Sequence, residues 1–220
     1  MTATLLQLPK RQSASNDATL HDLRFRALLG SEAWDALPRE VQRRFSKRLS
    51  GADAALYRGL VVEMRVSSVG WMFAQFCRLF GAPLPLIRKA GGGAFVSVSE
   101  DARSGGQCWT RIYVRPGRFP QVIHSAKCFA GPTGLVEYLG RGLGMALRIE
   151  PLNDGIAFVS DHYFLQLGVW RLRLPAFMAP GVTKVTHRQV AGASFLFGLE
   201  LTHPLFGTLF HQEILFDDVD

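Results

Sequence analysis

The segment CWTRIY, residues 108–113, sets Trp109, Arg111 and Tyr113 on alternate positions. A strand turns these three to one face and Cys108, Thr110, Ile112 and Val114 to the other. A guanidinium between two rings suits two environments. Facing outward, it stacks on the rings in water and is structural. Facing into a barrel, it is a buried cation that needs a carboxylate or an anionic ligand, because leaving it unpaired costs several kcal/mol. Glu137, in LVEYLG, is the partner to test first. The same alternatives apply to Arg171 and Arg173, which alternate with Trp170, Leu172 and Leu174.

The segment SDHYF, residues 160–164, offers a carboxylate and an imidazole for acid–base work. Neighbours on a strand project to opposite faces, so Asp161 and His162 are expected to face apart and form no orienting pair. His162 shares its parity with Phe158, Phe164 and Trp170, the setting of a hydrogen-bonded core histidine more often than of a catalyst. His124, His187 and His211 fall on other strands and no spacing groups them. Nucleophilic catalysis finds no GxSxG elbow and no suggestively spaced carboxylates, and Cys108 lies opposite Trp109 and Arg111 in parity. Cys77, Cys108 and Cys128 form no CxxC and have no histidine pair at ligand spacing, so neither a disulfide framework nor a metal site is expected. GGG at 91–93 does not open a helix as GxGxxG would, and no cofactor is expected. The candidate ligand-binding residues are therefore Trp109, Arg111, His124, Glu137, His162, Trp170 and Arg171, with no catalytic residue assigned.

The elements that must position these residues fall into two regimes. Residues 1–17 have little periodicity and are expected to be a flexible tail, followed by one α+β domain over 18–220. Helices are expected over Ala18–Leu29, over a basic stretch from Pro38 to Arg48, and over Ser68–Phe80, an almost wholly apolar segment that must be buried or close over a cavity. A strand is expected at YRGLVVEMRV, residues 57–66. From Gly91 onward strands alternate with turns: 94–99, 107–114, 121–130, 135–139, 143–150, 156–167, 182–191, 194–201 and 208–216, with Asn153-Asp154-Gly155 as the clearest hairpin. The expected fold is α+β: N-terminal helices plus a largely antiparallel, strongly curved meander, a barrel or half-barrel, wrapping the apolar helix.

The net charge of +7 divides unevenly. Residues 1–90 hold 14 Lys/Arg against 7 Asp/Glu, while residues 91–220 hold 11 of each. The excess centres on PREVQRRFSKR, where Arg39, Arg43, Arg44, Lys47 and Arg48 surround a stripe of Leu37, Val41 and Phe45. Such a helix could meet phosphates, an anionic membrane or an acidic partner, but a solvated face docked by its stripe is the plainer reading. Nucleic acid is not an expected partner, since no recognised binding motif accompanies the charge. No window holds a membrane-spanning apolar run and no signal peptide opens the chain, so the expected location is the cytoplasm.

FRALLGSEAWDALPREVQRRF, CWTRIY, LVEYLG, LRLPAFMAPG and HPLFGTLFHQEILF occur in an order that resembles the bacterial family called domain of unknown function 4166. The resemblance covers about residues 22–219. It implies a partnership with modules resembling saccharopine dehydrogenase or short-chain dehydrogenase, which often precede the family's domain. No dinucleotide-binding module is expected in front of this domain here, so that partnership would be in trans. Three functions follow. The chain is a binding module for a hydrophobic, possibly anionic, small molecule at Arg111. Alternatively it is an enzyme using isolated acid–base groups such as His162, Glu137 or His124, or an accessory or oligomerisation domain for a dehydrogenase-like protein partner.

Overall fold

Period-two runs divided by turn residues become eleven strands, and their pairing closes on itself. The computed structural model describes residues 22–49, 53–81, 84–101 and 104–218. Helices α1 (Arg24–Leu29), α2 (Ser31–Asp35) and α3 (Arg39–Ser46) precede β1 (Ala54–Val66) and α4 (Ser68–Cys77). Then come β2 (Gly93–Glu100), β3 (Gln107–Tyr113), β4 (Gln121–Cys128), β5 (Val136–Gly140), β6 (Leu143–Leu152), β7 (Gly155–Leu167), β8 (Trp170–Arg173), β9 (Val182–Ala191), β10 (Ser194–His203) and β11 (Gly207–Asp218). Antiparallel pairing runs β6-β5-β4-β3-β2-β1-β11-β10-β9-β7, and β6 also pairs with β7, so ten strands form a closed barrel. Closure abolishes the open edges that a long meander would otherwise expose. The tail at 1–17 and the start of the helix expected at 18 lie outside the described residues.

Beyond Gly168 the chain does not run on in line. Gly168, at φ 58°, turns it back, and β8 pairs antiparallel with Phe164–Leu167 as a flap on β7 outside the ring. That φ lies in the left-handed region which glycine enters without strain.

Cross-strand register carries one parity around the wall. Val96 pairs with Arg111 and Val98 with Trp109; Arg111 in turn pairs with Ile123 and Trp109 with Ser125. Val96, Val98, Trp109, Ile123 and Ser125 are all buried, so this is the inner face. Lys127 pairs with Glu137, Glu137 with Met145 and Met145 with Tyr163, a second buried row.

Helices cover both ends. At the end where β2 stops and β3 begins, Phe25 of α1 is fully buried and meets Phe45, Phe129 and Phe158 edge-on at 4.9–6.1 Å between centroids. Leu37, Val41 and Phe45 are buried as the apolar stripe requires. The basic helix ends at Ser46, short of the expected Arg48, and two cations of this stretch are engaged within the molecule: Arg44 lies 4.0 Å over the Phe195 ring and Arg48, just past the helix, pairs with Glu100. At the opposite end α4 is capped by Ser67, whose Oγ accepts the Gly70 N–H at 3.0 Å. Its buried residues are Gly70, Ala74 and Cys77, and a methyl at Gly70 would overlap the Leu209 carbonyl, so the helix sits directly on the start of β11.

Candidate functional site

Inside the barrel, two cations share one carboxylate. Lys127 Nζ lies 3.1 Å from Glu137 Oε2, and Arg111 Nη2 lies 3.7 Å from Oε1 while donating to Ser125 Oγ at 2.8 Å. Lys127 also stands 4.5 Å over the Trp109 ring. Glu137 and Lys127 are almost fully buried and Arg111 nearly so. Burial pushes the Glu137 carboxyl up, but Lys127 and Arg111 together hold it below its ordinary value of 4.5. Burial lowers Lys127 from its ordinary value against the pull of Glu137. With all three ionised the group carries a net positive charge in a low-dielectric interior, which an anion would neutralise.

A cavity of about 30 Å³ adjoins this group on the side of the α1–α3 cap, lined by Phe45, Gln107, Trp109, Arg111, His187 and Phe195 among others. Trp109 Nε1, Arg111 Nε, Gln107 Oε1 and His187 Nδ1 are buried without a hydrogen-bond partner among the described residues, and all four belong to that lining. Buried polar groups are ordinarily satisfied, so four around one void mark a place for something polar. Arg111 also borders a second cavity, of about 70 Å³, walled by Ile123, Leu139, Met145, Val185 and Leu199. Glu137, His124 and Thr183 join those apolar groups in the second lining, so both sides of the guanidinium meet mainly apolar walls with a few polar groups.

His187 is fully buried among Phe45, Trp109, Phe158, Phe195 and Phe197, at 5.2–6.0 Å between ring centroids. Burial, then Arg44, Lys127 and Arg111, hold its pKa well below 6.5. The folded chain therefore binds fewer protons at this site than the unfolded chain once the pH falls below 6.5, and stability declines on acidification there. Urea unfolding between pH 7.5 and 5.5 should show stability falling on acidification, with a His187 contribution approaching ~1.4 kcal/mol per pH unit that His187→Phe removes. That variant keeps the smaller contribution of His162, also lowered by burial, Arg173 and Arg171. An unchanged slope in that variant would place the proton uptake elsewhere.

The sequence candidates separate. Trp109, Arg111 and Glu137 come together as described. His124 is exposed, its Nδ1 3.1 Å from Thr110 Oγ1, and it borders the second cavity. Trp170 is exposed on the flap, and Arg171 covers the outer wall, 4.5 Å over Phe164 and donating to Tyr138 Oη at 2.8 Å. For Asp161 and His162 the expectation of opposed side chains is corrected: His162 Nδ1 lies 2.6 Å from Asp161 Oδ2. Ala146 pairs with His162 but Leu147 with Ser160, so Asp161 is the extra residue of a β-bulge and loses strict alternation. Arg148 holds the same carboxylate from outside, and neither member of the pair lines either cavity.

Lys127, Gln107 and Ser125 escaped sequence reasoning. The available signal is parity: Ser125 and Lys127 share the face of Ile123 on β4, and Gln107 shares the face of Trp109 and Arg111 on β3. Across strands the fold also brings Glu63, His211 and Glu213 together, with ligand atoms within 4.8 Å of one another on the outer wall. There Arg65 pairs with Glu63, and His211 lies 3.4 Å from Glu200.

Residues 37–216 match the model of a family described as a domain of unknown function (DUF4166). No curated protein and no solved structure matches the chain.

Proposed function

We propose, for a chain that belongs to the DUF4166 family, a binding module whose barrel receives a small hydrophobic acid at Arg111. The observation that carries this reading is the set of unpartnered polar atoms on one cavity beside two cations that share one carboxylate. The acid's oxygens accept from Arg111 Nε and Trp109 Nε1 and neutralise the surplus positive charge. Its apolar remainder lies past the guanidinium, among Ile123, Met145, Val185 and Leu199. The two volumes set the ligand's size in the closed barrel at a few heavy atoms, because a void of one water needs about 10–15 Å³. Arg111 binds and orients; Glu137 and Ser125 hold it in place.

Native mass spectrometry of protein purified from its own host tests this reading. A retained species that carries an acidic group supports it, and a bare chain contradicts it.

A further inference from the structure

We propose that the barrel end carrying α4 and the β8 flap docks onto an anionic lipid surface. Strand register assigns five segments to this end, taking the described residues alone: 67–81 with 84–92, 114–120, 141–142, 168–181 and 204–206. Together they hold eight Lys/Arg and no Asp/Glu, against a net charge of +7 for the whole chain. The surplus charge of the molecule is therefore concentrated at one end, although the strand-rich part of the sequence is neutral as a sum. At the opposite end cations meet carboxylates, as in Arg24 with Asp22, Arg48 with Glu100 and Arg188 with Asp154.

Large apolar side chains gather at the same end. Phe119 is 90% exposed, Val169 91%, Phe177 85%, Leu205 82% and Trp170 72%, and Leu79 joins them beside α4. They stand on separate loops around the mouth, interleaved with Arg78, Lys89, Arg118, Arg141 and Arg173. Large exposed apolar side chains gathered at one charged end of the molecule mark an interaction site. An anionic bilayer surface satisfies both features at once: apolar tips enter the interfacial region, Trp170 suits its polarity, and cations meet headgroup phosphates and carboxylates. A protein partner would have to supply carboxylates around several separate apolar pockets. No helix among the described residues is long and apolar enough to cross a membrane.

Docking needs nothing inside the barrel and stands apart from the acid-binding reading. The full chain is to be co-sedimented with vesicles of phosphatidylcholine alone and of phosphatidylcholine mixed with phosphatidylserine. Binding is expected only to the mixed vesicles, weakening as salt rises. Lys89→Ala with Arg118→Ala should lower the partition about fivefold per residue. Phe119→Ser with Trp170→Ser should weaken it at least as much, and both double variants should melt like the wild type because these side chains are exposed. Arg111→Leu should bind vesicles like the wild type, which separates the two proposals. Protein left in the supernatant with both vesicles, equal binding to neutral vesicles, undiminished binding by the variants, or a dimer that binds neither would overturn the proposal.

Discussion

Glu137→Gln is expected to destabilise the fold by ~3–5 kcal/mol, because it removes the only carboxylate facing Lys127 and Arg111 among the described residues. The wild-type group holds two cations and one anion; the variant leaves two cations facing each other in the barrel. Arg111→Leu is the counterpart, since it leaves the Lys127–Glu137 pair neutral, and its expected change is within ~1 kcal/mol. Glu137 also fixes an acid limb. Its folded pKa lies below the ordinary 4.5, so the stability it contributes is present above that pH and is lost as the pH falls through the lower, folded value. Denaturant titrations at neutral pH and below pH 4.5 should show the wild type losing this contribution and the variant having none to lose. Equal unfolding midpoints for wild type and Glu137→Gln at pH 7 would contradict the buried-triad account.

Phe25→Ala is the second large effect, expected at ~3–5 kcal/mol. Phe25 is fully buried and is the ring through which α1 meets Phe45 of α3, Phe129 beyond β4 and Phe158 of β7. Truncation opens a cavity at the junction of helices and barrel and removes all three ring contacts. Against a total stability of about 5–15 kcal/mol this is a large share. The neighbouring Leu23→Ala, at a position 60% exposed, should change stability by less than ~0.5 kcal/mol. A Phe25→Ala variant as stable as Leu23→Ala would mean that the helices lie on the barrel without plugging it.

Much of this was legible in the text of the chain. Alternation in CWTRIY placed Trp109, Arg111 and Tyr113 on one face, turn residues marked the strands, and Glu137 was the expected partner of an inward Arg111. The illegible parts depend on pairings between segments distant in sequence. Nothing local says that β7, while keeping its hairpin partners β6 and β8, also pairs through Gly155–Val159 with β9, which is what closes the ring. A bulge at Asp161 cannot be seen from period-two counting, and it alone brings the carboxylate to His162. Lys127 reads as a solvent-facing lysine until its register with Glu137 is known. The charge of the α4 end is likewise invisible in a running sum, because its cations come from four separate segments that only the barrel gathers.

The most direct test compares the wild type with Arg111→Leu, both purified from the native host, by native mass spectrometry under conditions that keep the barrel folded. The wild type should carry a small acid that Arg111→Leu has lost, with the two melting points close together. A wild type without a bound molecule, or the same molecule held equally by both proteins, would contradict an anion site at Arg111.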